Sequence, residues 1–225
     1  MKIIRYGACD DIDVQFLDEH GYIYYHNVYT NFKKGQIKNP YDRNIFGVGY
    51  IGDGKYGTGD AVKRTQEEYV WRGMLERCYG DKYKDVHLTY YDKCTVCEEW
   101  HNFQNFAEWY TQNFYQVGTE RMHLDKDILV KGNKFYSPDT CLIVPQRINM
   151  LFLQKPNKYN LPSGISPMAN NRYRADYNGK KVGNYNTLEE AIQAHDNEKR
   201  KAIKKVADEY KQVIPDKVYK ALLAW

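Results

Sequence analysis

The spacing of apolar and polar positions changes character several times along the chain. Near the start, "IDVQF" (Ile12–Phe16) alternates with period two, and "GYIYYHNVYTNF" is dense in strand formers after the turn chemistry of "DEHG". Period two marks a half-buried strand, because successive side chains leave on opposite faces. Residues 1 to about 55 therefore read as a small β-rich module, a barrel or curled sheet. "KKGQIKNPYDRN" follows with breakers and four basic residues. The six glycines of "GVGYIGDGKYGTGD" (Gly47–Asp60) lack the Gly-Lys-Ser/Thr ending of a phosphate loop, so this stretch reads as a flexible linker or surface loop.

The period then lengthens. "TQEEYVWRGMLERCYG" predicts a helix capped by Thr65 with Glu68 three residues on, and Gly80 can end it. Tyr69, Met74 and Tyr79 would share its broad apolar face, with Val70 and Leu75 near it. A second helix is predicted by the 3.6-residue spacing of Phe103, Phe106, Ala107, Tyr110 and Phe114. Trp71, Trp100 and Trp109 read as core anchors. "LDKDILVKGNKFYSPDTCLIVPQRIN" (Leu124–Asn149) then runs strand, polar loop, strand, short helix.

After the linker-like "QKPNKYNLPSG" come two short strands, "RYRADY" and "KKVGNY", joined by Asn178-Gly179. That pair specifies a type I′ hairpin, whose turn needs positive φ twice. A long helix follows, with Thr187 as N-cap and Glu190 at the capping-box position. Its apolar line is Leu188, Ala191, Ile192, Ala202, Ile203, Val206 and Tyr210, interrupted around His195; "DKVYKALLAW" forms a last short helix. The class is α+β in three small modules. These are a β-rich module over 1–60, a helical region with a ββα finger over 61–154, and a sheet-plus-helix domain over 160–225.

Composition adds location and partner. With 42% hydrophobic residues the chain can build cores. Its 22 tyrosines suit β-structure and also nucleic-acid or protein surfaces. The net charge of +4 is uneven: residues 155–225 hold 14 Lys+Arg against 8 Asp+Glu. A basic end beside a near-neutral body points to a polyanion, although part of the excess lies in the helical run "NEKRKAIKK". Five cysteines, without an apolar leader in the opening residues, suggest a reducing, cytoplasmic setting. No run approaches the ~18 apolar residues that a membrane helix needs.

Two resemblances sharpen these readings. "GIS…NRYRADYNGKKVGNYNTLEEAIQAHD" resembles the three-strands-plus-helix DNA-binding domain of plant ethylene-response factors and phage integrases, over about residues 163–207. By strand alternation Tyr173, Ala175 and Tyr177 would face the helix, and Arg172, Arg174 and Asp176 would face away. The resemblance implies double-stranded DNA as partner, with Arg172, Arg174, Lys180 and Lys181 as contacts. The bland alternative is a solvated basic sheet face.

The central segment, about residues 69–152, resembles the ββα-metal finger of phage HNH endonucleases, including homing enzymes. This implies a phage-encoded chain in a bacterial host. It also implies a metal-dependent DNA endonuclease using Mg²⁺ or Mn²⁺, since Asp and Asn oxygens suit such ions. Asp125 takes the metal-binding Asp position and Asn149 the distal metal position. Lys126 stands where the family usually has its histidine base. A solvated lysine is a poor base, with a pKa near 10.4. His123, Asp125 and Asp127 would share one strand face opposite Lys126, so His123 and Asp127 join Lys126 as catalytic candidates. Cys94 and Cys97 form one C-x-x-C pair with no second pair, which favours reduced thiols over structural zinc. The rival functions are a catalytically inactive, sequence-specific DNA-binding protein and a phage interaction protein acting on a host protein.

Overall fold

A computed structural model describes residues 1–59, 63–81, 94–153 and 157–225. The chain is α+β, with helices beside several small sheets. It divides into two compact units, residues 1–112 and 113–225. The expected boundaries at 60/61 and 154/160 do not coincide with this division. Among the described residues, no helix is long and apolar enough to cross a membrane.

In the first unit, β1 (Lys2–Ala8), β2 (Asp11–Gln15) and β3 (Ile23–Asn27) form an antiparallel meander in that order. Ile12 and Val14 of β2 are fully buried with Phe16 and Ile37, which is the alternation doing its expected work. β1 carries no such alternation and was not expected. It is an edge strand, almost wholly exposed. The strand formers after β3 instead make α1 (Tyr29–Lys33), where Tyr29 and Phe32 cover the sheet core.

α2 (Gln66–Tyr79) starts at Thr65, whose side chain accepts the Glu68 N–H. Met74, Leu75 and the anchor Trp71 are buried as expected, together with Cys78, but Tyr69, expected on the same face, is 58% exposed. Tyrosine tolerates the surface because its hydroxyl stays wet, whereas Trp71 gives its indole N–H to the Trp100 carbonyl at 2.7 Å. After β4 (Thr95–Val96) and a 3₁₀ turn over Glu98–His101 comes α3 (Phe103–Asn113). It buries Phe103, Phe106, Ala107 and Tyr110 as its period requires.

The glycine-rich segment is packed structure. The Tyr50 N–H donates to the His101 carbonyl, and the Phe103 N–H donates to the Tyr50 carbonyl, both at 2.9 Å. A Cβ on Gly49 would come within 2.5 Å of Leu75 Cδ1, so its glycine permits a close approach. Asp60, at the end of the segment, lies outside the described residues.

In the second unit, β5 (Met122–Asp125), β6 (Phe135–Tyr136), β7 (Leu142–Pro145) and α4 (Gln146–Met150) give the ββα order. β5 and β7 pair antiparallel, with Leu124 opposite Ile143. β8 (Ile165–Pro167), β9 (Tyr173–Tyr177) and β10 (Lys180–Tyr185) form an antiparallel sheet with β9 central. Asn178 and Gly179 both have positive φ, as the type I′ turn demands. α5 (Leu188–Tyr210) opens on a complete Thr187–Glu190 capping box, and α6 (Asp216–Leu223) follows. Of the linker-like stretch, residues 154–156 lie outside the described residues. Asn157 fastens the remainder by donating to the Pro162 and Ile165 carbonyls.

α5 serves two cores. Its first half packs Ala191 against Ile165 and Ala175 of the sheet. Its second half packs Ile203, Val206, Ala207 and Tyr210 with Ile128, Leu142, Val144, Ile148 and Phe152 of the finger. The finger and the C-terminal helices thus share one hydrophobic core. The interruption seen at His195 is the junction between the two cores.

Candidate nucleic-acid interface and central finger

β9 sorts its side chains by alternation. Ala175 is fully buried beneath α5, while Arg174 is exposed and Asp176 half-buried. Across the sheet, Ser166, Arg174 and Asn184 stand in one row, and Asp176 stands opposite Lys181. Arg172 is in extended conformation just before the strand, which puts it on the side of Arg174. The face turned away from α5 therefore carries Arg172, Arg174, Asp176 and Lys181, with Lys180 exposed at the hairpin end.

These cations are not equivalent. Arg174 Nε and Nη2 both donate to Asp176 Oδ1, at 2.9 and 2.6 Å, and the carboxylate holds the guanidinium above its usual pKa. Arg172, Lys180 and Lys181 have no side-chain hydrogen bond or ion pair among the described residues. Asp176 aims one arginine, and three further positive charges stay open to solvent.

The finger is arranged otherwise. β5 ends at Asp125, and the chain turns immediately. Asp125 Oδ1 accepts the backbone N–H of Asp127 and of Ile128, both at 2.8 Å, so the side chain staples the turn that follows it. This corrects the expected shared face of His123, Asp125 and Asp127: Asp127 has left the strand, and alternation no longer applies to it. Among the described residues, the ligand atoms of those three side chains do not come within 4.8 Å of one another as a group. Asp125 is only 7% exposed, and burial pushes its carboxyl up to about 6 against the pull of the two N–H donors.

Lys126 occupies no open catalytic position. It is 3% exposed. Its Nζ donates to both oxygens of Asp127 at 2.9 Å and to the Asn133 carbonyl at 2.7 Å, and it lies 5.8 Å from the Tyr136 ring centre. The Asn133 side chain closes the loop by donating to the Lys126 and Phe135 carbonyls. His123 pairs with Val144 inside the sheet, and Asn149 lies half-buried on α4. A divalent ion fits this donor set poorly. One oxygen of Asp125 is committed to backbone donors, and an ammonium already neutralises Asp127.

Two arrangements escaped the sequence reading. Lys199, 8% exposed on α5, sits in the junction between the cores, with Nζ 5.5 Å from the Phe152 ring centre and 4.2 Å from that of Trp225. Beside it Asp196 takes Lys131 Nζ and His195 Nδ1, each at 3.2 Å. The available signal was the four-residue step Ala191–His195–Lys199–Ile203, which continues the buried stripe through polar residues. In the first unit, Asp11, Asp13 and His26 bring ligand atoms within 4.8 Å, the one such group among the described residues. The Arg5 guanidinium already forks onto both carboxylates, so the cluster carries its own counter-charge. The alternation of Asp11 and Asp13 opposite Ile12 and Val14 was its trace in the sequence. Cys94 and Cys97 belong to no group of three or more metal-ligating side chains among the described residues, and neither forms a disulfide.

No protein-family model matches the chain, and no curated protein or solved structure matches it either.

Proposed function

We propose that this chain binds double-stranded DNA through the outer face of the β8–β9–β10 sheet, and that its ββα finger serves as scaffold. The observation that carries the proposal is the sorting of β9: Ala175 is spent on the core, while Arg172 and Arg174, with Lys180 and Lys181 beside them, face solvent. A strand ribbon fits the major groove, about 12 Å wide. Arg174, pre-aimed by Asp176, suits a base edge. The unpaired Arg172, Lys180 and Lys181 suit phosphate oxygens, which position a protein without reading sequence. The closed Lys126–Asp127–Asn133 network and the Asp125 turn support a structural role for the finger, which joins the core of α5 and so braces the helix behind the sheet.

Two measurements test this. Titration of labelled duplex against the protein should give affinity that falls steeply with salt, because phosphate contacts release counterions. Supercoiled plasmid incubated with the protein and Mg²⁺ or Mn²⁺ should persist. Relaxed or linear plasmid that depends on Asp125 and Asn149 would return the finger to the metal-dependent endonuclease role that its resemblance implies.

A further inference from the structure

The second half of α5 presents a charged face that neither core uses. Arg200, Lys201, Lys204 and Lys205 are all exposed, while Ile203 among them and Val206 and Ala207 just after them are buried. Arg200 follows Ala191, the residue seated on the sheet, by nine positions, about two and a half helical turns. Arg200 and Lys204 therefore point away from the sheet, on the side of the second unit opposite Arg174, while Lys205, fourteen positions after Ala191, flanks them and returns to within about 40° of the Ala191 direction, roughly 21 Å further along the axis.

The patch is not explained by helix stability. Arg200–Lys204 and Lys201–Lys205 are like-charge pairs at i,i+4, an arrangement that weakens a helix. The favourable pull of the helix dipole on cations fades beyond the last turn, and Arg200 to Lys205 precede that turn. Neighbouring acids are already engaged. Asp196 holds Lys131 and His195, Asp208 accepts the Tyr219 hydroxyl, and Glu209 accepts Arg147. Lys201 pairs with Glu198 at 2.6 Å, whereas the side chains of Arg200, Lys204 and Lys205 have no hydrogen bond or ion pair among the described residues. An external polyanion would relieve this self-repulsion.

Resting on the DNA-binding reading above, we infer that the exposed face of α5 is a second phosphate-binding surface, which holds a second duplex segment while the sheet face holds the first. The chain then bridges duplexes. Its partner on α5 is the repeating phosphate backbone, matched by charge and without base readout.

The test is a bridging assay with the full chain. One biotinylated duplex is immobilised, protein is added, and retention of a second, fluorescent duplex is read. The wild-type protein should retain it. The triple variant Arg200→Gln, Lys204→Gln, Lys205→Gln should keep single-duplex affinity within about twofold and lose at least about tenfold in bridging, with a shallower salt slope for the second duplex. Its thermal melt should be unchanged or higher, because both like-charge pairs are gone. The charge-preserving Lys204→Arg should still bridge. A triple variant that bridges like wild type overturns the inference, and so does a wild-type protein that binds one duplex but never retains a second. A wild-type protein that binds no duplex sinks the DNA-binding reading itself, and this inference with it.

Discussion

Replacing Lys126 with methionine separates a structural lysine from a catalytic one. Methionine keeps most of the apolar stem and removes the ammonium. Three hydrogen bonds go, two to the Asp127 carboxylate at 2.9 Å and one to the Asn133 carbonyl at 2.7 Å, and with them the approach of the ammonium to the Tyr136 ring. Breaking a buried pair costs about 3–5 kcal/mol, and a charge-assisted hydrogen bond contributes about 1.5–3 kcal/mol. The Asp127 side chain is 31% exposed, so water can partly resolvate it and the lower part of the range applies. The expected loss is roughly 2–4 kcal/mol. Amide hydrogen exchange reads this locally: protection at Leu124 and Ile143, paired across β5 and β7, should fall by about 30- to 1,000-fold. Adding Asp127→Asn should cost far less in the methionine background than in wild type, a coupling of at least about 1 kcal/mol. DNA affinity should hold. If protection is unchanged and a metal-dependent cleavage disappears, Lys126 is part of a reacting centre and the scaffold argument is wrong.

Three further outcomes follow from the same geometry. The Asp125 carboxyl is raised in the folded state, so the folded chain holds its proton better than the unfolded chain; its contribution is full below about pH 4, declines as pH rises, and is gone above about 6. Asp125→Asn, which can still accept the two N–H bonds, should remove that decline, seen as a flatter difference in melting temperature between pH 4 and 7; a steeper one would contradict the burial argument. Gly164→Ala should destabilise by about 2–4 kcal/mol in urea unfolding, since φ is +79° and a Cβ would come within 2.5 Å of both the Asp176 carbonyl and the His195 ring. Thr187→Ala removes one arm of the capping box and should cost about 1 kcal/mol, without change in DNA affinity.

The elements governed by local chemistry were legible in the sequence. The Asn178-Gly179 turn, the Thr187 and Thr65 caps and the Phe103–Tyr110 stripe each carry their own signal within a few residues. What escaped was set by packing between distant segments. On α2 the spacing put Tyr69 on the buried face, whereas it is 58% exposed and the anchor Trp71 reaches across to give its indole N–H to the Trp100 carbonyl. Gly49 belongs to a packed segment through Leu75, which no local rule reveals. At the finger, period-two reasoning assumed a strand through Asp127, but β5 ends at Asp125, whose side chain bends the chain and takes Asp127 out of the strand. The sharing of one core by the finger and α5 was hidden behind a linker-like composition at residues 154–164.

DNA binding by the outer sheet face is tested most directly by the affinity of the quadruple variant Arg172→Ala, Arg174→Ala, Lys180→Ala, Lys181→Ala, measured across a salt series beside wild type. All four side chains are exposed, so the melting temperature should barely move. Single-duplex affinity should fall at least about tenfold, and the salt slope should become shallower by about 0.9 for each phosphate contact removed. A folded variant with wild-type affinity and slope would contradict binding by that face.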